Sequence, residues 1–231
     1  MNTKALKYLV LLYVGLLLAY TVSAQSTYQI GLLPSLNLNK KLEKDWSLNL
    51  KIESRQLIQR GNFEGFVDPG YEYVLTDNTL VAAKKTGFNS RVAGGYLMRF
   101  RGKELIQRAI QQYSVVQKMN GYRLAHRFVT DQTFVPNQQT EFRLRYRLTS
   151  EIPLNGQSVD QNELYLKINN EVLNSWRSSD YDLEIRVIPF LGWIVSANTK
   201  IEFGLDYRVN SFLTNNARHT FWTALSCFID L

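Results

Sequence analysis

The 231-residue chain has little cysteine, histidine or proline, and no long apolar run after its N-terminal region. Its single cysteine, Cys227, cannot form an internal disulfide, so hydrogen bonds and side-chain packing must hold the fold together. No later segment approaches the roughly 18 uninterrupted apolar residues that indicate a membrane helix. These absences exclude a disulfide-stapled domain and a helical membrane protein.

The N-terminal region has the layout of an export signal. Two lysines precede an apolar run from Leu9 to Ala19, and Val22 and Ala24 fit the positions that a signal peptidase reads. A run of about a dozen apolar residues is too short for a bilayer, which needs roughly 20. We therefore expect cleavage of residues 1–24, which removes both lysines and lowers the net charge from +7 to +5. Residues 25–231 would then form one exported domain.

Charged and apolar residues alternate through the rest of the chain. The pattern is clearest at Glu141–Leu148, which reads Glu-Phe-Arg-Leu-Arg-Tyr-Arg-Leu. A period of two places the charged side chains on one face of a strand and the apolar ones on the other. No stretch with the helical period of about 3.6 competes with this pattern. The candidate strands are Tyr28–Lys40, Trp46–Gln59, Thr79–Lys85, Asn89–Arg101, Leu105–Gln117, Tyr122–Phe134, Thr140–Ile152, Glu163–Asn174, Tyr181–Val195, Lys200–Leu213 and Thr220–Ile229.

The lengths of these segments favour a membrane barrel. Strands of about 9–14 residues match tilted membrane strands, whereas soluble strands average five or six. Tight turns at 119–121 and 196–199 alternate with longer polar connections at 61–78, 131–139 and 214–219, as outer-membrane barrels show. Single-chain bacterial barrels have an even number of strands. We therefore predict an all-β fold, a transmembrane antiparallel up-and-down β-barrel of about twelve strands, with ten as the fallback.

In a membrane the charged face must line the lumen. A lipid-facing Arg or Lys costs roughly 2–4 kcal/mol near the midplane, so three arginines on one strand would cost on the order of 10 kcal/mol. A soluble periplasmic lipocalin-like binding barrel would expose the same residues to water, and this alternative stays open. The predicted lumen-lining network comprises Lys51, Glu53, Arg55, Arg123, Arg127, Arg143, Arg145, Arg147, Lys167, Glu171, Glu184, Arg186, Glu202, Asp206 and Arg208.

A succession of different short motifs, made of residues common in strands, runs along the chain. They are His126-Arg127-Phe128, Phe142-Arg143-Leu144-Arg145-Tyr146-Arg147, Leu164-Tyr165-Leu166 with Asn170-Glu171-Val172, Arg186 followed by Gly192, and Gly204-Leu205-Asp206-Tyr207. Together they resemble an outer-membrane family of Bacteroidota, the domain of unknown function 2490, over nearly the whole mature chain. The resemblance implies a small β-barrel in the outer membrane of a Gram-negative bacterium, and it implies no activity.

A charged lumen allows two roles. In a narrow barrel, arginine–carboxylate pairs between neighbouring strands form a structural network. About twelve strands lie between side-chain-filled barrels of eight and open barrels of sixteen, so a small aqueous path is also compatible with the pattern. Arg127 and the arginines at positions 143, 145 and 147 would bias that path toward anions. We predict a structural barrel or a narrow anion-biased channel.

An outer-membrane lipid-modifying hydrolase is the alternative of another class. Such a site needs a nucleophile or activated water, a base and an orienting group. Only His126 and His219 are available as histidine bases, and His126 shares the predicted lipid-facing side with Leu124 and Phe128. No nucleophile motif accompanies it, so we predict no enzyme, with His126 as the residue to test. No zinc-like spacing or phosphate-binding glycine loop occurs, and we expect no metal and no cofactor.

The predicted partners follow from the location. The basic residues alternate with apolar ones and form no contiguous groove, so nucleic acid is not expected. Outer-membrane lipid and lipopolysaccharide are expected, with Arg99, Arg101 and Lys103 placed near a rim where they would meet phosphates. The last strand is apolar at every second position up to Leu231, which resembles the signal read by barrel-assembly machinery during biogenesis. The sequence leaves the transported substrate and the oligomeric state open.

Overall fold

A computed structural model describes residues 26–213 and 216–231, and its regular structure is entirely β-strand. No helix within these ranges has the length and apolar character needed to cross a membrane. The predicted export signal at residues 1–24 lies outside the described residues. The strands are β1 (Thr27–Lys41), β2 (Trp46–Asn62), β3 (Val67–Lys85), β4 (Ser90–Arg101), β5 (Glu104–Met119), β6 (Tyr122–Phe134), β7 (Glu141–Pro153), β8 (Leu164–Arg177), β9 (Asp180–Ser196), β10 (Thr199–Asn210) and β11 (Arg218–Asp230).

The strands form a closed barrel in which each is hydrogen bonded to its neighbours in sequence. Consecutive strands are antiparallel, whereas β1 and β11 close the ring in parallel, in register from Thr27 opposite Arg218 to Asn39 opposite Asp230. The predicted all-β barrel is confirmed, with eleven strands in place of about twelve. The even-number rule assumes antiparallel closure. With an odd number of alternating strands the first and last point the same way, and here they pair in that orientation.

The two ends of the described chain therefore lie at opposite rims. We call the rim that carries Ser26 the N-terminal rim and the rim that carries Leu231 the C-terminal rim. The N-terminal rim carries the connections 63–66, 102–103, 135–140 and 178–179 and the described residues 211–213 and 216–217. The C-terminal rim carries the connections 42–45, 86–89, 120–121, 154–163 and 197–198.

The predicted long connection at residues 61–78 is wrong, because most of it is strand. β2 and β3 continue as a hairpin up to the pairing of Gly61 with Val67. The ladder between β3 and β4 begins only at Thr76, so the first part of β3 projects beyond β4 with a ladder on one side. Tyr71 in this projection is 75% exposed. An Asp-Pro-Gly sequence at 68–70 is typical of a turn, but pairing with β2 outweighs that preference.

The two faces of the barrel follow the period-two pattern, as β7 illustrates. Phe142 and Leu144 point outward and are about half exposed. Arg143 and Arg145 point into the lumen, where their side chains are only 10% and 13% exposed. Successive strand residues point to opposite faces, so the alternating sequence produces a charged interior and an apolar exterior.

Apolar packing stabilises the parallel closure from inside. Leu33, Leu57, Trp222 and Ala224 form a buried cluster in the lumen beside the β1–β11 ladder. A Cβ added to Gly31 would lie 2.3 Å from the carbonyl oxygen of residue 56 and 2.4 Å from a ring carbon of Trp222. The indole therefore occupies the space that a side chain at position 31 would need.

Gly31→Ala is expected to lower the free energy of unfolding by about 1–3 kcal/mol, because the added methyl group overlaps both neighbours. Gly94→Ala is the matched control, since its new Cβ has no heavy atom within 4 Å. That control should leave stability unchanged or raise it slightly, as alanine restricts the unfolded chain. Urea unfolding in detergent micelles, followed by tryptophan fluorescence, measures both. Equal unfolding midpoints for the two variants would contradict the packing described for the closure.

Candidate functional site

The lumen contains a continuous cavity of about 1560 Å³. It follows the full length of β10 and β11, since Lys200, Asn210, Arg218 and Asp230, near the four strand ends, all border it. Glu171, from the predicted network, does not reach the cavity wall. The members of that network that border the cavity are Lys51, Glu53, Arg55, Arg123, Arg127, Arg143, Arg145, Arg147, Lys167, Glu184, Arg186, Glu202, Asp206 and Arg208.

Positive charge is concentrated on the cavity wall. Eighteen Lys and Arg side chains border the cavity against nine Asp and Glu, whereas the whole sequence has 27 against 20. A concave wall of one predominant sign, backed by low-dielectric protein, raises the local concentration of counter-ions. The cavity is therefore suited to attract anions.

A series of ion pairs, which we call the ion-pair belt, lies along the wall toward the N-terminal rim. Its members come from inward positions of β2 to β10, and the pairs form both within strands and between neighbouring strands. The belt comprises Glu53, Arg55, Asp77, Arg99, Arg108, Asp131, Arg143, Arg145, Arg147, Glu171, Glu184, Arg186, Asp206 and Arg208. Because arginine side chains are long, this belt narrows the lumen.

Two aspartates in the belt are each shared by several arginines. Asp77 accepts a hydrogen bond at 2.7 Å from each of two nitrogens of Arg99, which is the bidentate geometry. Asp131 accepts hydrogen bonds from Nε of Arg143 at 2.5 Å and from Nη2 of Arg145 at 3.2 Å. These charge-assisted contacts connect β3 with β4 and β6 with β7 on the inner face.

Glu171 is the most buried carboxylate of the belt, with a side chain that is 0% exposed. Its oxygens lie 2.7 Å from Nε of Arg147, 2.9 Å from Nη1 of Arg186 and 3.8 Å from Nε of Arg145. A carboxylate removed from water needs such partners to offset its desolvation. The guanidinium groups cover Glu171, which explains why it does not border the cavity.

A second, smaller group of polar contacts lies toward the C-terminal rim. Glu202 is 1% exposed and accepts a hydrogen bond from the hydroxyl of Tyr165 at 2.7 Å and another from Lys167. Lys200 lies 3.7 Å from the same carboxylate. The ammonium of Lys167 also lies 4.6 Å from the ring centroid of Phe190. Two lysines thus share one buried carboxylate, as the arginines do in the belt.

Arg127 has no ion-pair partner within the described ranges. It lies on β6 directly opposite Arg147 of β7, and Arg147 turns to Glu171. Arg127 borders the cavity, and its Nε is buried without a hydrogen-bond partner. At this point the wall therefore carries a guanidinium with no described carboxylate within ion-pair distance, although the charge of Glu171 acts on it from farther away.

The sequence analysis missed four members of the belt, Asp77, Arg99, Arg108 and Asp131. Asp77 fell in a segment predicted to be a connection, although continuing the period of two back from Thr79 would have placed it inward. Asp131 fell where the predicted strand Tyr122–Phe134 overlaps the predicted connection 131–139. Arg99 was assigned to a rim facing lipopolysaccharide, which is wrong. Its side chain points inward and is held by Asp77, so it is not free to meet a lipid phosphate.

Both histidines lie on the outward face next to tyrosines. Nδ1 of His126 is 2.9 Å from the hydroxyl of Tyr146, and Nδ1 of His219 is 2.8 Å from the hydroxyl of Tyr207. The rings of each pair are stacked. Among the described residues no group of three or more His, Cys, Asp and Glu is placed to hold a metal ion. The hydrolase hypothesis for His126 stays a prediction.

A family model described as "Protein of unknown function (DUF2490)" matches residues 16–219. The match covers most of the sequence, from the predicted export signal to the start of the last strand. It confirms the family to which the short motifs pointed. No curated protein and no solved structure matches the chain.

Glu171→Gln is expected to lower the free energy of unfolding by about 3–5 kcal/mol, because it leaves three buried arginines without their shared counter-charge. The control is Glu104→Gln, which breaks the exposed pair with Arg101, in which both side chains are about half exposed. That change should cost no more than about 1 kcal/mol. Urea titration in micelles compares the two variants. If Glu171→Gln were as stable as the control, the belt would not be a stabilising network.

Proposed function

We propose that this chain, which belongs to the DUF2490 family, is an outer-membrane β-barrel of a Gram-negative bacterium that serves as a narrow, anion-biased channel. The observation that carries the proposal is the continuous cavity whose wall has twice as many basic as acidic side chains. That cavity lies inside a barrel with an apolar outer face. A polar interior and an apolar exterior are what a barrel in lipid requires.

The outer face supports a membrane location. From β4 to β11 the outward positions carry no Lys, Arg, Asp or Glu, because the charged residues fall on the inward alternate positions. A soluble protein rarely exposes an apolar patch of more than a few hundred Å². This surface continues around the barrel, and its exposed members include Tyr96, Phe128, Phe142, Leu144, Leu166, Leu191, Phe203 and Leu225.

Aromatic residues near both rims support the same location. Toward the C-terminal rim Trp46 is exposed, and the ammonium of Lys84 lies 5.6 Å from the centroid of its ring. Toward the N-terminal rim Trp176 and Tyr181 are exposed with ring centroids 5.7 Å apart. Tryptophan and tyrosine are enriched where a membrane meets water. Two aromatic girdles at these levels would fit a bilayer between them.

The belt sets the width of the proposed path, and the basic surplus of the whole cavity wall sets its selectivity. Beyond the belt the cavity continues toward the N-terminal rim along β10, β11 and β1, where Asn210, Arg218 and Gln29 border it. Eleven strands lie between barrels filled by side chains and barrels with open channels, so the path is narrow. Rings of arginine favour anions in such a constriction. The proposed channel therefore passes small anions beside the belt.

A closed structural barrel is the second candidate, and the packing around Glu171 favours it. Three arginines held by one buried carboxylate form a rigid network rather than an open pore lining. The absence of conductance from inserted protein would support this candidate. The next test would then be whether His126 takes part in a reaction on lipid.

The proposed partners are outer-membrane lipid, lipopolysaccharide and, during biogenesis, the barrel-assembly machinery. The turn between β4 and β5 carries Lys103 on the N-terminal rim, where a lipopolysaccharide phosphate would be within reach. Arg101 beside it is paired with Glu104, so it is less available to bind such a phosphate. The outward positions of the last strand are apolar from Leu225 to Ile229, and Leu231 follows at the same spacing, which supports recognition by the assembly machinery.

Cell fractionation tests the location. The protein is expected in the outer-membrane fraction and should be released only by detergent, because the exposed apolar side chains surround the barrel. A soluble periplasmic protein with a known signal is the control. Recovery in the soluble fraction without detergent would reject the membrane proposal and favour the lipocalin-like alternative.

Conductance in a planar bilayer tests the channel. Purified protein should give discrete steps, with a reversal potential in a KCl gradient that indicates anion preference. Arg91→Glu with Arg218→Glu should shift that potential toward cations, because both side chains are exposed, border the cavity and lie outside the belt. Reversing Arg143 and Arg145 would instead place carboxylates beside Asp131 and disturb the fold.

Lys103→Glu is the matched control for the double variant, because Lys103 does not border the cavity. It should keep the wild-type selectivity. Unchanged selectivity in the double variant would contradict a conducting path through the charged cavity. If protein that is shown to be inserted gives no conductance steps, the closed structural barrel is supported.

A further inference from the structure

We infer that Arg127 and Arg147 form a binding site for a free phosphate-type oxyanion on the lumen wall. The site deepens the proposed function, since it lies on the cavity through which anions would pass. Its binding test does not require that the barrel conducts.

The first argument is the juxtaposition of like charges. Arg127 and Arg147 are directly opposite each other across the antiparallel ladder of β6 and β7. Like charges in this position destabilise a sheet. In the belt each arginine has a carboxylate within ion-pair distance, whereas Arg127 has none in the described part of the chain. An anion between the two guanidinium groups would remove this repulsion.

The second argument is the presence of unused donors. Nε of Arg127 is buried and has no hydrogen-bond partner. The same holds for Nη2 of Arg143 and for Nε of Arg145, which lies 3.8 Å from Glu171. Buried donors without partners are rare, because each costs its full desolvation free energy. All three belong to β6 and β7 and to residues that border the cavity. Arg143 and Arg145 are held by Asp131, so within the described chain the donor of Arg127 is the one of the three that belongs to a residue without an ion pair.

The third argument is space beside the arginines. The next inward residue of β6 toward the C-terminal rim is Ala125, which lies opposite Thr149 of β7. Both border the cavity, and the small alanine side chain leaves room next to the two guanidinium groups. Arg123 follows on the same face, paired with Glu151 at 2.7 Å. The result is a niche with two guanidinium groups on one side and a further basic residue beyond it.

The donor chemistry favours a tetrahedral dianion. A guanidinium presents its N–H groups as a planar fork, which matches two oxygens of a phosphate. Two such forks side by side can donate to several oxygens and compensate two negative charges. Chloride has no oxygens, and acetate carries one charge and two oxygens, so neither matches both forks. The outward neighbours of Arg127 separate the niche from lipid, so the source is free phosphate in the lumen and not a lipid headgroup.

Isothermal titration calorimetry tests the site with inorganic phosphate and detergent-purified protein. Wild-type protein should bind phosphate, and Arg127→Gln should weaken binding about tenfold or more, because the unpaired fork is lost. Arg127→Lys should give an intermediate affinity, since it keeps the charge and loses the fork. The matched control is Arg91→Gln, which removes one positive charge from the cavity wall at the C-terminal rim and should change affinity by less than about twofold.

Chloride and acetate at the same ionic strength should bind far more weakly than phosphate, and phosphatidylglycerol added to the micelles should not compete. Phosphate should also raise the unfolding midpoint of wild-type protein and not that of Arg127→Gln. Without phosphate the variant should be at least as stable as wild type, because a like-charge contact has been removed. Wild-type protein that fails to bind phosphate, or equal binding by Arg127→Gln, would overturn the inference. Phosphate binding by a barrel that is silent in the bilayer would reject the channel and leave the site intact.

Discussion

The parallel ladder between β1 and β11 is the contact on which the rest of the structure depends. It pairs thirteen successive residues of β1, from Thr27 to Asn39, and leaves no open edge along that length. An open edge would expose unpaired backbone groups, which neither a membrane nor a soluble sheet tolerates well. The hydroxyl contact of Ser35 with Ser226 at 2.9 Å and the fit of Trp222 over Gly31 hold this register. Closure also defines an inside, and only then does the charged face of each strand become a lumen wall.

Once the charged faces point inward, charge balance determines what the lumen can do. The belt has eight arginines and six carboxylates, so carboxylates such as Asp131 and Glu171 must each serve several guanidinium groups. Sharing makes the network rigid, because each carboxylate links strands through several hydrogen bonds. It also leaves the wall with surplus positive charge. The structural role and the attraction of anions are therefore two consequences of one arrangement.

The period-two pattern carried most of the information that the sequence offers about this fold. It predicts which residues of β7 share a face, and the structure places fourteen of the fifteen predicted network residues on the cavity wall. Two errors arose where a local signal or a general rule was outweighed by a distant contact. The Asp-Pro-Gly sequence at 68–70 is typical of a turn, yet pairing with β2 keeps it in a strand. The alternating pattern gives eleven candidate segments, as in the structure, and the even-number rule raised that count to about twelve because no local pattern encodes the parallel contact of β1 with β11.

The sequence pattern also does not predict which residues form ion pairs with each other. Arg145 lies between acids on two neighbouring strands and contacts both Asp131 and Glu171. Which acid an arginine meets depends on the register of two ladders and on side-chain reach. An alternating pattern does not specify either quantity. For the same reason the sequence did not distinguish Arg127 from the paired arginines around it.

At the proposed anion site, the surroundings of Arg127 would let one network both hold and release an anion. Its neighbour Arg147 is partly neutralised by Glu171 at 2.7 Å, and the same carboxylate acts on Arg127 from beyond ion-pair distance, so the positive field at the niche is partly compensated. A site made of two free guanidinium groups would hold a dianion tightly and block a narrow lumen. Conduction requires binding that is favourable enough for entry and weak enough for exit. A half-compensated arginine pair on the wall of an aqueous cavity meets both requirements, which makes the charge imbalance at Arg127 consistent with passage of anions through this barrel.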